Sequence, residues 1–209
     1  MRISQAAFDL IVQEETGGEA YYRKTEQSTD WPGGASGVTI GCGYDCGYSN
    51  PSQIELDWGD YLDPIMIRAL KSVAGIHGSP ARALAHELRT VIDVPWDVAI
   101  EVFRNRDVPK WESIVANSLV NTDLLSGDSF GALVSLAFNR GASFNNMGDR
   151  YVEMRNIAAL MRTRQFAGIP EQIVQMKRLW PNVSDLRNRR DHEAALFQKG
   201  LDSAALANT

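Results

Sequence analysis

The chain has 209 residues, 44% hydrophobic and 22% charged, which is enough apolar material for a sizeable core and excludes a disordered or fibrous chain. A net charge of −5 argues against a surface of clustered Lys and Arg, and so against nucleic acid as a partner. No run of about eighteen apolar residues is present and no basic-then-apolar leader follows Met1, so neither a membrane span nor an export signal is expected.

From the N-terminus, Ala7, Phe8, Ile11 and Val12 recur at helical spacing after Ser4, a residue suited to capping, and Gly17-Gly18 end that segment. Thr29 to Gly47 reads as the strand region, with Trp31-Pro32-Gly33-Gly34 as its turn. From Ser52 onward the pattern is helical almost throughout. Asp63-Pro64 and Ser79-Pro80 each place a capping side chain before a proline at the first helical position. Further helices are expected around 95–105, 110–119, 128–140, 151–166, 170–179 and 184–199. The segment SFGALVSLAFNRG is apolar on nearly all sides up to Asn139, the mark of a buried central helix closed by Gly141. With no internal repeat or long linker, the expected fold is one mostly helical α+β domain. It has a small N-terminal helix-and-hairpin lobe at about 1–60, a larger helical lobe at about 61–209, and a cleft between them.

Within the strand region, Ser36 to Tyr48 reads SGVTIGCGYDCGY, with glycines at 37, 41, 43 and 47 where the backbone turns tightly or a substrate approaches it. The glycines alone fit an ordinary hairpin equally well. The pair Glu14-Glu15 lies at the end of the first helix, so this part of the chain supplies carboxylates and a hydroxyl on rigid backbone. Glycoside hydrolysis needs such a set: one carboxyl group protonates the leaving oxygen and another manages water on the opposite face of the sugar. Cys42 and Cys46 are the only cysteines, with no second Cys/His pair nearby, and His77, His86 and His192 are scattered. The cysteines are expected to pack beside the loop, and no metal and no cofactor are expected.

The runs FDLIVQEETGGEAYY, WPGGASGVTIGCGYD, GALVSLAFNRG, MKRLWP and LRNRR follow one another in the order of the phage lysozyme family, glycoside hydrolase family 24, the muramidases that cut peptidoglycan. The chain resembles that family from roughly Phe8 to Leu201, most specifically in the Glu…Thr-Ile-Gly-x-Gly block, and the resemblance implies a lysozyme-like fold. The best-known phage enzymes carry the catalytic aspartate six residues before this threonine, a position held here by Gly33. Asp45 lies six residues after Thr39 instead, which resembles the layout of pesticin-like bacteriocin muramidases and lysozyme-like toxin domains.

The resemblance implies that Glu15 is the general acid, its pKa raised against apolar surface. Glu14 is its rival, one helical step of about 100° away. The family-like spacing to Tyr21-Tyr22 favours Glu15. Thr39 is expected to hold the attacking water, and Asp45 to be the base or to position that water, with Asp30 as the fallback base. Together they imply inversion, with the acid and base carboxyl groups about 6.5–9.5 Å apart. Tyr22 and Tyr44 are candidate sugar-facing walls, with hinge packing as the equal alternative. Arg140, at the end of the central helix, is divided between substrate contact and complementing the helix dipole. Trp180, Arg187, Arg189 and Arg190 are expected to pair with acids across the lobe interface.

The expected activity is hydrolysis of the β-1,4 bond between N-acetylmuramic acid and N-acetylglucosamine. The competitors are a lytic transglycosylase, which needs no separate water-activating aspartate, and an inactive lysozyme-like module that binds peptidoglycan or a partner. Peptidoglycan glycan strands are the expected partner of a monomer made in a bacterial cytoplasm and acting on the cell wall in the periplasm. A phage endolysin and a secreted antibacterial effector both fit; the second would add a secretion apparatus and an immunity protein to the partners.

Overall fold

The computed structural model describes residues 1–207 and shows a mostly helical α+β chain with one small antiparallel sheet. The chain forms two compact units, one of Val12–Asp107 and one of Met1–Ile11 together with the chain from Val108 onward. The position near 60 expected to separate the lobes falls inside the first of these. Among the described residues no helix is long and apolar enough to cross a membrane.

Helix α1 (Gln5–Thr16) runs from one unit into the other. Ser4 starts it as expected, its Oγ accepting the Ala7 amide at 3.1 Å. Its last turn is closed by buried Thr16, whose hydroxyl donates to the Val12 carbonyl at 2.7 Å and accepts the Gly18 amide at 3.1 Å. Gly17 and Gly18 then turn the chain at φ of 66° and 90°, a region that glycine enters without a Cβ penalty. Glu15 therefore lies inside the last turn of α1.

In the Val12–Asp107 unit, α2 (Glu19–Thr25) carries a Glu19–Arg23 ion pair and buries Tyr22. Strands β1 (Thr39–Ile40) and β2 (Tyr44–Asp45) pair in the register Thr39 with Asp45 and Ile40 with Tyr44. Between them Gly41 and Gly43 take positive φ. Thr39 also exchanges both backbone bonds with Asp30, at 2.8 and 2.9 Å, on the other side of β1. Because those bonds point toward Asp30, the Thr39–Asp45 pair is the non-hydrogen-bonded kind, in which side chains approach most closely. Asp30, Thr39 and Asp45 thus stand in one row across three extended segments, on one face of the ribbon.

Helices α3 (Pro51–Trp58), α4 (Pro64–Ser72), α5 (Ser79–Leu88) and α6 (Trp96–Val102) share one core with the hairpin residue Ile40 through Ile54, Trp58, Leu70, Ala81 and Ala99, all essentially buried. Asp63 caps α4 as expected, accepting the Ile65 and Met66 amides at 2.8 and 3.0 Å. Ser79 does not cap α5. Gly78 holds that position at φ 68°, a backbone conformation that displaces the serine into the first turn, and no side chain caps the helix. The helix expected at 95–105 is α6 followed by a π-helical turn, Phe103–Asp107.

The other unit comprises α7 (Val108–Ser118), α8 (Gly127–Arg140), α9 (Val152–Thr163), α10 (Ile169–Gln175) and α11 (Ser184–Ala207) with residues 1–11. Ser126 caps α8 through the Ser129 amide at 3.1 Å, Ser129 to Ala137 are buried, and Gly141 ends the helix at φ 75°. Two glycines allow close helix contact: a Cβ on Gly131 would overlap that of Ala7, and one on Gly200 would overlap the Ser126 and Ser129 hydroxyls. Buried Glu193 accepts from Ser135 at 2.8 Å and from Arg189 and Arg190 at 3.2 and 2.9 Å. Arg189 and Arg190 thus meet this acid on their own helix, at i+4 and i+3.

Candidate active site

The last turn of α1, the chain between α2 and β1, and the hairpin turn enclose a cavity of about 390 Å³ within the Val12–Asp107 unit. Glu15, Glu26 and Asp30 line it with three carboxyl groups, Ser28 and Thr39 add hydroxyls, and Gly41 and Gly43 leave the hairpin turn bare of side chains. Of the Glu14-Glu15 pair, Glu15 is the one in the lining. Thr39 is half-buried, and its Oγ1 lies 3.5 Å from the Gly37 carbonyl. Asp30 is exposed, with Arg89 at 3.5 Å.

Glu26 follows α2, and its backbone N–H closes that helix on the Tyr22 carbonyl at 2.8 Å. Its side chain is half-buried and has no hydrogen bond or ion pair with any described residue. Burial, and then the neighbouring Asp30 charge, push its carboxyl above the usual carboxylate range. Nothing in its sequence context marks Glu26: it sits in an aperiodic stretch, and only the exchange of bonds between Asp30 and Thr39 folds that stretch back onto the hairpin.

Asp45 is turned to a different task. Its carboxylate accepts the Gly37 amide at 3.0 and 3.1 Å and the Gly47 amide at 2.8 Å, so it ties the hairpin to the 3-10 turn Cys46–Tyr48. It does not line the cavity, although its register sets it beside Thr39. Gly37 is required there, since a Cβ would collide with both the Asp45 carboxylate and the Gly47 backbone.

Tyr22 and Tyr44 have no ring face to offer a sugar. Tyr22 is fully buried, donates its hydroxyl to the Val94 carbonyl at 2.9 Å and packs on Trp96. Tyr44 is buried between Trp58 and the Arg106 guanidinium and donates to Asp57 at 2.8 Å. Both rings are packed into the core of this unit. In the other unit, Arg140 stacks over Trp180 at 4.9 Å and donates from Nη2 to the Arg150 carbonyl at 2.7 Å. Its Nε and Nη1 are buried without a hydrogen-bond partner among the described residues.

Cys42 and Cys46 are free thiols. Burial pushes each up to about 12, aided at Cys42 by Asp107, Glu26 and Glu15 and at Cys46 by Asp45. At neutral pH both are held as thiols, which makes them poor nucleophiles. Among the described residues no group of three His, Cys, Asp or Glu is arranged to hold a metal ion.

A larger cavity, about 600 Å³, adjoins the first through Asp30 and is walled by Trp31, Arg82, His86, Glu87 and Arg89. Its walls carry an Arg82–Trp31 stacking contact and the Asp30–Arg89 pair, which bind and orient. The smaller cavity is the one that brings carboxyl groups together with hydroxyls, the combination acid–base chemistry needs. No family model matches the chain, and no curated protein matches it.

Proposed function

We propose that this protein is a peptidoglycan muramidase with a lysozyme-like fold, hydrolysing the β-1,4 bond between N-acetylmuramic acid and N-acetylglucosamine with inversion. The observation that carries the proposal is the convergence of Glu15, Asp30 and Thr39 on one cavity beside the TIGCGYD hairpin. Glu15 protonates the leaving glycosidic oxygen, Thr39 holds the attacking water, and Asp30 takes the proton that water loses. Asp30 takes the base role in preference to Asp45 because it lines the cavity, whereas the Asp45 carboxylate is engaged by two backbone amides. The substrate lies in the cell wall, so the enzyme acts there.

Mass spectrometry of digested peptidoglycan tests this directly. The expected products are muropeptides with reducing muramic acid ends. Glu15→Gln should lower their release by about 10²–10⁴-fold, and Glu14→Gln should leave most of it. Anhydro-muramic ends would identify a transglycosylase, and no release by the unmodified protein would overturn the reading.

A further inference from the structure

Glu26 is the one carboxyl group of the cavity that the proposed reaction leaves idle. The titratable groups that act on it are Asp30 on the extended segment beside β1, Tyr22 one turn earlier on α2 and Cys42 in the hairpin turn; Glu15 shares the cavity lining, and a neighbouring cation, Arg89, is held on Asp30 at 3.5 Å. No described cation pairs with it and no described N–H donates to it. A half-buried carboxyl group in such surroundings keeps its proton to higher pH than a solvated one does. A protonated carboxyl is a hydrogen-bond donor, and in this cavity the acceptors are a sugar oxygen or the Asp30 carboxylate.

Resting on the muramidase reading, we propose that Glu26 is a positioning residue that works in its protonated form, donating a hydrogen bond into the cavity that orients the substrate or Asp30, so that its ionisation turns the site down. Glu15 gives its proton away in each turnover, whereas Glu26 keeps its own. Glutamine is then a faithful substitute at 26, because it donates a hydrogen bond at every pH; at 15 it is not, because an amide cannot deliver a proton.

The experiment is the pH profile of muropeptide release by the unmodified protein, Glu26→Gln and Glu26→Ala. The unmodified enzyme is expected to lose activity as pH rises through the Glu26 ionisation. Glu26→Gln should remain active with that alkaline fall moved to higher pH, and Glu26→Ala should lose about ten-fold below the Glu26 ionisation and progressively less above it. Thermal melting gives a second reading that needs no activity. The folded-state pKa of Glu26 is raised, so its favourable contribution is fully present below the unfolded value of about 4.3 and is lost as pH rises through the folded one. Glu26→Gln should therefore melt higher than the unmodified protein at pH 7 and no higher at pH 4.

An alkaline limb unchanged in Glu26→Gln, or a Glu26→Gln enzyme dead at every pH, overturns the role of Glu26 while the muramidase reading stands. Equal melting at pH 7 overturns the proton-bearing state. Failure of the unmodified protein to release muropeptides at any pH overturns the muramidase reading and this role with it.

Discussion

Gly37 and Gly47 each give their backbone N–H to the Asp45 carboxylate, and Gly47 is buried. Removing the carboxylate leaves those amides without an acceptor, which costs about 1–3 kcal/mol for a buried group. Asp45→Ala should therefore lower unfolding free energy by about that amount in urea denaturation, and Asp45→Asn, which retains one acceptor oxygen, by less. Thr39 and Asp45 could be picked from sequence by type and spacing, but the direction of the Asp45 side chain could not. It depends on the Gly37 amide, eight residues away and brought into reach only when the hairpin closes. Glu26 escaped for the opposite reason: its residue type is common, and no local pattern distinguishes a carboxyl that will be half-buried from one that stays solvated.

Among the elements, those with strong local chemistry were legible. Ser4 and Asp63 cap where their side chains predict, and the apolar run of α8 is buried along its length and ends at Gly141. The seven-residue helix α2 was not, being too short to show a full apolar period. The π-helical turn before α7 has no composition of its own. The strand region was recognised, yet only two residues pair on each side of its turn, with isolated bridges from Thr39 to Asp30 and from Gly37 to His77. Gly131 shows packing overriding propensity. Alanine in the middle of α8 should gain roughly 0.5–1 kcal/mol of helix preference, but its Cβ would overlap that of Ala7 on α1. Overpacking costs about 1–3 kcal/mol. Gly131→Ala should therefore lower the melting temperature, and adding Ala7→Gly should recover part of the loss. A melting temperature unchanged by the single substitution would show that α1 yields at no cost.

At the scale of the whole molecule, the net charge of −5 gives no long-range attraction toward an anionic cell wall. Screening by salt then removes no favourable steering, since the Debye length shortens from about 30 Å at 0.01 M to about 10 Å at 0.1 M. On the muramidase reading proposed above, the rate of muropeptide release should hold steady or rise over that range; a steep fall would point to a basic docking surface that the overall charge conceals. The division of the chain has a consequence for how it is made. Val12–Asp107, which contains the candidate site, has all its residues once position 107 leaves the ribosome. The first half of α1, with Ala7, Phe8 and Ile11, belongs to the other unit, and Ala7 cannot meet Gly131 until α8 has been synthesised. At about 5–20 residues per second, translation keeps those side chains waiting on the order of ten seconds. The segment that must be guarded on the nascent chain is therefore made well before the helices it joins, while the carboxyl-lined cavity can close early.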